Sequence, residues 1–537
     1  MKDIGQGQSF RNFILRNRIY VDKTEQIRSL LKRDRVFISR PRRFGKSLLL
    51  DTIGTLFENG VEPYFKGTWI YDNWTEEKYP VLRLNFLKLS SSSFENFCVD
   101  FDTALAKFAR INGLEYVSQA LPMRSMESLL SSLETEKISI VILIDEYDMQ
   151  LTAHINNPEM YERFRVAIRE LYGVMKGDAG IRFLGITGVT RLKDVSIFSV
   201  GSDILDMTYA TDVSTIIGFT RKEIRNYYID YLNLAVSIDE RIPQDQVTEQ
   251  QREKLLDRIS DEYNGYSFDE YYRNKVYSTW SVTNFFQDIA IKGCIKFNDY
   301  WYDNGGMPSI LAKYLETHII RLDDYTEDIN VDSNDFQNPT SLLSMKQPVL
   351  MCQTGYLTAH SPVPDGGSIT LGIPNMEVHR SLTKLLSKRI FPGVDFSKRS
   401  NESFFSEAPP EEIVAKLNTL MNTISYENYK SMSEKTIQGL LHAFLIGAAQ
   451  PVRTEVQSAS GRSDIVLEYE KRRVVFELKY AENEACCEAQ LKDAVNQIKT
   501  RRYGDLLPAK EKVLQLALVF NGDKTARQFT RYKTVVV

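Results

Sequence analysis

Val36-Phe37-Ile38-Ser39-Arg40-Pro41-Arg42-Arg43-Phe44-Gly45-Lys46-Ser47 is the stretch that decides the fold. The residues up to Ser39 form a short apolar strand. Those from Arg40 to Ser47 read as a loop, and the apolar spacing of Leu48–Phe57 predicts a helix. A strand feeding a tight loop and then a helix N-terminus is the geometry in which backbone N–H groups cradle phosphate. The full phosphate-loop pattern is G-x-x-x-x-G-K-[ST]. Gly45-Lys46-Ser47 satisfies its second half, whereas Arg40 stands where the first glycine belongs. Arg40, Pro41, Arg42, Arg43, Phe44, Gly45, Lys46 and Ser47 are therefore the candidate nucleotide-binding residues. Lys46 is expected to reach the β- and γ-phosphates of ATP, and Ser47 to ligate Mg²⁺. By itself, a Gly-Lys-Ser triplet also suits the start of any helix.

Outward from this loop, Val81–Phe86, Ile138–Ile144 and Ile181–Ile186 read as strands with helical segments between them. That alternation implies an α/β fold, a parallel sheet covered on both faces. The third strand runs into Asp145 and Glu146, about 100 residues beyond Ser47. A buried parallel strand delivers its C-terminal residues to the ligand crevice. Asp145 would complete the Mg²⁺ shell there, and Glu146 would orient or deprotonate the attacking water. Order and spacing favour this over a strand that merely ends in solvated acids. The fourth strand ends in Thr187-Gly188-Val189-Thr190. Thr187 or Thr190 would sense the terminal phosphate, or either is simply a turn threonine. Arg40, Arg42 and Arg43 would neutralise phosphate, contact nucleic acid or line a solvated face. Arg191 is the candidate arginine finger.

The chain has 537 residues, 43% hydrophobic and 26% charged, the balance of a globular protein rather than a disordered or collagen-like one. About three to four domains are expected at roughly 150 residues each. Lys plus Arg number 67 and Asp plus Glu 71, a net charge of −4. Nucleic-acid binding would therefore need a local basic patch. The five cysteines sit in no CxxC pair, which suits free thiols in a reducing compartment, and five histidines argue against a His-rich zinc centre. No apolar signal region opens the chain, and no apolar run is long enough to span a bilayer. A cytoplasmic protein with no membrane partner is expected. Residues 1–220 form the phosphate-loop domain. Residues 221–410 form a helical middle region with a hairpin of Val349–Thr358 and Ser368–Ile373, possible as a winged-helix-like module. Phe391–Pro410 reads as a linker, and 411–537 as a second α/β domain.

In that last domain, Ser463–Tyr469 and Arg473–Lys479 alternate as strands joined by the turn Glu470–Arg472. Period-two alternation puts Glu477 and Lys479 on one face and Leu478 in the core. Folding the hairpin brings Asp464 opposite Glu477, within about one residue of register. Two carboxylates can hold Mg²⁺ or Mn²⁺, which lowers the pKa of a bound water and shields a phosphodiester. Lys479 would position that water, Gln497 or Tyr503 would aim at the same patch, and Arg462 would bind phosphate. An E-x-K triplet is weak evidence, since Glu76-Glu77-Lys78 also has it. From spacing alone, an exposed, salt-bridged hairpin face is the favoured reading.

Several long motifs resemble the bacterial AAA-ATPase-like proteins. They are Tyr20–Thr24, Arg40–Ser47, Thr187–Thr190 through Val195–Ser199, Gly218-Phe219-Thr220, Asn264-Gly265-Tyr266, Gln353–Thr358 and Ile373–Val378 with its Pro-Asn-Met-Glu-Val. The first loop glycine is replaced in that family too. The resemblance implies ATP binding and, at the C-terminus, a restriction-endonuclease-like domain of the PD-(D/E)XK nuclease superfamily. Glu455, Gly461, Arg462, Asp464, Glu477, Lys479 and Gln497 match that superfamily's pattern. Its first helix often supplies another acid. Glu434 sits early for this role, and Glu455 is the alternative from a strand. The expected function is a nuclease acting on nucleic acid, DNA before RNA, under ATP control in a mobile-element or defence setting, with a homo-oligomer possible. The alternative is an ATP-controlled signalling or scaffold protein whose C-terminal domain binds without cutting.

Overall fold

A computed structural model describes residues 1–192, 203–303, 311, 328–337, 339, 341–342, 344–362, 367–382, 404–422, 432–447, 452–458, 461–469, 471–501 and 510–535. The chain forms two compact units, Met1–Ile319 with Asp328–His379, and Ile320–Glu327 with Arg380–Val537. The boundary expected after residue 220 falls inside the first unit. The motif residues Val195–Ser199 and the turn residue Glu470 lie outside the described residues, as does Tyr503. The side chains of Glu455 and Arg462 do so too.

The first unit is built on a five-stranded parallel sheet. Its strands are β1 (Arg35–Ser39), β2 (Val81–Asn85), β3 (Ile140–Asp145), β4 (Ile181–Gly188) and the short β5 (Leu205–Asp206), in the order β2-β3-β4-β1-β5. All of β3 is buried, as its unbroken Ile-Val-Ile-Leu-Ile run requires of a strand covered on both faces. Helices Lys46–Asn59, Phe94–Ile111, Pro122–Glu136 and Pro158–Met175 accompany the sheet. Because β4 lies between β1 and β3, its C-terminal end stands between the phosphate loop and Asp145. Ile38 pairs with Thr187, and Asn85 pairs with Asp145.

The same unit continues through helices Arg221–Tyr227, Ile229–Glu240, Glu249–Tyr263 and Thr279–Lys292, with a small ladder of β6 (Tyr266–Ser267) and β7 (Lys275–Val276). Val349–Thr358 is not a strand. Gln347–Thr354 is a helix with Pro348 in its first turn, closed by Gly355 at φ 91°. The apolar run was too short for periodicity to separate helix from strand, and the caps decided it. After this helix come β9 (Thr358–Pro362) and β10 (Ser368–Gly372), a wing that β8 (Ile329–Asp332) extends to three antiparallel strands.

The second unit holds a mixed sheet of β11 (Val452–Ser458), β12 (Gly461–Glu468), β13 (Arg472–Ala481), β14 (Lys512–Asn521) and β15 (Gln528–Val535), in sequential order. Only β13 and β14 are parallel, and helix Glu484–Arg501 makes their crossover. Ile465, Leu467, Val474, Phe476, Leu478 and Leu516 pack with residues of helices Pro410–Met421 and Glu434–Gly447. Val466, Val475, Ala517 and Val519 pack with Cys487, Leu491, Ala494 and Ile498 of the crossover helix. Part of the expected linker belongs to this core. Phe404–Glu407 is helical and Phe405 is fully buried, while 391–403 lie outside the described residues.

Candidate functional site

The phosphate loop bends through two left-handed residues, Arg43 at φ 69° and Gly45 at φ 108°. Lys46, nearly buried, folds back so that its Nζ donates to the carbonyls of Arg40 (3.0 Å) and Pro41 (3.1 Å). Ser47 Oγ donates to Asp145 Oδ2 at 2.6 Å, and Thr187 Oγ1 donates to Asp145 Oδ1 at 2.7 Å. Asn85, which sequence reasoning missed, donates to the same Oδ2 at 3.2 Å. The signal for it was a polar residue ending the strand beside Asp145. Thr190 is engaged elsewhere, its N–H and hydroxyl both bonded to the buried carboxylate of Asp148. Of the two threonines, Thr187 therefore stands at the strand ends. Ser47 and Asp145 together gather oxygen donors of the kind a Mg²⁺ ion takes.

Glu146 follows Asp145 with φ 54°, a left-handed conformation that is costly for a side chain of this size. Burial raises its carboxyl above the ordinary range, and the Lys46 ammonium partly opposes that rise. Lys46, Ser47 and Glu146 line a cavity of about 650 Å³. Away from the loop, the cavity wall turns apolar at Ile19, Val21, Ile27, Ile216, Ile217 and Phe219. One end thus offers N–H groups and a cation, and the other offers a surface for a flat, weakly polar ring. A volume of this size suits a nucleotide.

The three loop arginines go separate ways. Arg40 is not in the cavity. Its guanidinium is 1% exposed, donates to the carbonyls of Ser39 (2.8 Å) and Thr208 (2.6 Å), and sits 4.1 Å from the Phe268 ring centre. Burial lowers its pKa to about 9. Arg43 donates to the carbonyls of Tyr300 and Trp301 and lies over Trp280. Arg42 lines the cavity. Arg191 is ion-paired with Asp206.

The back of the loop is gripped by the scattered motifs. Phe44 sits edge-on to Tyr266, ring centres 4.7 Å apart. Pro41 abuts Gly355, where an added Cβ would come within 2.8 Å of Pro41 Cβ. Trp301 donates to the Arg42 carbonyl, and its own N–H is held by the fully buried Glu377, which also accepts from Ser281. Asn375 donates to the Asn264 carbonyl at 2.6 Å. Motifs spread over more than 300 residues thus meet at one loop.

In the second unit, Asp464 Oδ2 accepts the Leu478 N–H at 2.7 Å, which seats it beside Glu477 one step beyond the Ile465–Phe476 pair. Glu477 is 1% and Lys479 9% exposed, so this is not a solvated face. Glu434 reaches the site after all. It opens its helix, and its carboxylate pairs with Lys479 Nζ at 3.0 Å. Gln438, one turn on, donates to the Asp464 carbonyl. Gln497 donates to Asp493 on its own helix. Glu76, in the stray E-x-K triplet, pairs with Arg28 and Arg182. Among the described residues no group of three His, Cys, Asp or Glu side chains gathers as a metal site. A pair of carboxylates suits Mg²⁺, which keeps several of its waters.

The chain thus has two α/β units, one with a strand–loop–helix turn beside Asp145 and one with Asp464 and Glu477 side by side on a mixed sheet. Residues 4–198 match the family model described as predicted AAA-ATPase, and residues 432–530 that of the PD-(D/E)XK nuclease superfamily. The chain therefore carries an AAA-ATPase-like domain followed by a PD-(D/E)XK superfamily domain. It is 26% identical over 522 residues to an uncharacterized protein in the vnfD 5′ region of Azotobacter chroococcum mcd 1, covering 94% of this chain and 93% of that one. Solved structures with some likeness include the Aeropyrum pernix ORC1 protein in complex with DNA (10% identity, TM-score 0.25, 71% of this chain and 98% of that chain). The ORC2 protein from the same organism, with ADPNP and ADP, is another (13%, TM-score 0.24, 67% and 90%). Among the described residues no helix is long and apolar enough to cross a membrane.

Proposed function

We propose that the chain binds and hydrolyses ATP and cuts nucleic acid, DNA before RNA, in a metal-dependent reaction under ATP control. A mobile-element or defence system would be its setting. The meeting of Ser47, Asp145 and Thr187 beside Glu146, at a cavity of nucleotide size, carries this reading. Loop N–H groups would bind the phosphates together with Lys46, once its Nζ leaves the Arg40 and Pro41 carbonyls, and Ser47 and Asp145 would hold Mg²⁺, which would draw charge from the phosphate oxygens. Thr187 keeps the Asp145 carboxylate oriented. Glu146 accepts the proton of the attacking water.

At the second site, Asp464 and Glu477 would hold Mg²⁺ or Mn²⁺, which would supply an acidified water and shield the phosphodiester. Lys479 Nζ orients that water and stabilises charge building on phosphorus. Glu434 fixes Lys479, and Gln497 would join the patch by leaving Asp493. Lys46→Ala should abolish ATP turnover. Asp464→Ala or Lys479→Ala should abolish cutting and leave ATP turnover intact. The assay uses linear duplex, supercoiled plasmid, single-stranded DNA and RNA with Mg²⁺ or Mn²⁺, with and without ATP. Cutting lost in Asp464→Ala supports the nuclease. No cutting of any substrate by the wild type refutes it and leaves an ATP-controlled scaffold.

A further inference from the structure

The loop supplies three arginines and commits two of them to the scaffold. Arg40 is enclosed with Thr208 and Phe268, and Arg43 is held on Trp280 and on the carbonyls of Tyr300 and Trp301. Arg191, the candidate beyond β4, is neutralised by Asp206. Both Arg42 and Arg43 line the cavity with Lys46, Ser47 and Glu146, and the Arg42 backbone is pinned by Trp301, whose indole donates to the Arg42 carbonyl. Arg42 differs in that, among the described residues, no hydrogen bond or ion pair engages its guanidinium. Its positive charge is felt at the Glu146 carboxyl and at Arg43.

We propose that Arg42 is a catalytic residue of the ATPase site, an arginine supplied by the same chain that neutralises charge building on the terminal phosphoryl oxygens in the transition state. This rests on the ATP reading above. Breakage of the β,γ bond spreads negative charge over the transferred group, and a guanidinium meets such oxygens in a planar fork. Lys46, whose Nζ here rests on the Arg40 and Pro41 carbonyls, is the cation that the ATP reading assigns to the ground-state phosphates. A second cation on the Glu146 side adds stabilisation that grows as the bond breaks, which raises kcat rather than affinity. Supplied in cis, it makes turnover independent of a neighbouring copy.

Arg42→Ala should lower kcat roughly 10³-fold and leave ADP affinity, read by a fluorescent nucleotide, within about tenfold of wild type. A readout independent of turnover is the thermal shift given by Mg-ADP plus aluminium fluoride over Mg-ADP alone. Arg42→Ala should lose that difference, and Arg42→Lys should recover part of it. Mixing Arg42→Ala with Glu146→Gln chains should restore nothing. Restored turnover in the mixture would overturn the assignment in favour of an arginine from a second copy. Unchanged kcat in Arg42→Ala, or an equal loss of ADP binding, would also overturn it. Absence of turnover and of any nucleotide thermal shift in the wild type would instead refute the ATP reading itself.

Discussion

Glu146 combines two costs at one residue, a left-handed backbone and a carboxyl whose ionised form is disfavoured by burial. As a base it must be ionised, so turnover is lost as pH falls through its pKa. Because that pKa is raised above the ordinary 4.5, the acid limb of kcat should lie at higher pH than for an exposed glutamate. A pH–rate profile with the limb at or below 4.5 would remove Glu146 from this role. At this scale much of the site was legible. Ser47, Asp145 and Thr187 each end a recognisable local pattern, and parallel strands align such ends. Arg40 was not legible, because its surroundings are set by Thr208 and Phe268, far along the chain. Glu434 was underrated although Ser433, whose hydroxyl accepts the Thr436 N–H, marks where its helix begins.

Among the elements, four strands of the first sheet could be read from continuous apolar runs, with boundaries moved by only a residue or two, whereas the edge strand Leu205–Asp206 is too short to carry such a run. The helix at Gln347–Thr354 could not, since a short apolar run fits either structure and Gly355 decides the matter by closing it. Gly265 marks a tighter constraint. At φ 104° an added Cβ would stand 2.0 Å from the Pro374 carbonyl oxygen. Gly265→Ala should cost about 1–3 kcal/mol from backbone strain, and more from the clash, measurable as a lower urea midpoint. Phe44 is 1% exposed between Tyr266 and Phe268. Phe44→Ala should destabilise the first unit by about 3–5 kcal/mol and weaken nucleotide binding with it. A stability change without a binding change would show that the aromatic grip does not shape the loop.

For the whole molecule, composition and alternation were enough to announce two α/β sheets at opposite ends of the chain. They could not say how much of the middle belongs to the first, because the bonds that tie it there join residues hundreds of positions apart. A chain ending at residue 220 lacks Tyr266, Phe268, Trp280, Trp301 and Gly355, and should fail to unfold cooperatively. The full chain should gain about 2.7 kcal/mol from Mg-ATP at 100 times its Kd, seen as a rise in Tm. The same distances bear on biosynthesis. The phosphate loop leaves the ribosome well before the residues that grip it, and Gly355 is joined to Pro41 only 314 residues later. At ≈ 5–20 residues per second that interval is roughly 15–60 s. During it the nascent loop lacks the contacts of Gly355 and Tyr266 that shape it, so on the proposed reading nucleotide binding should begin only once the middle region has been made.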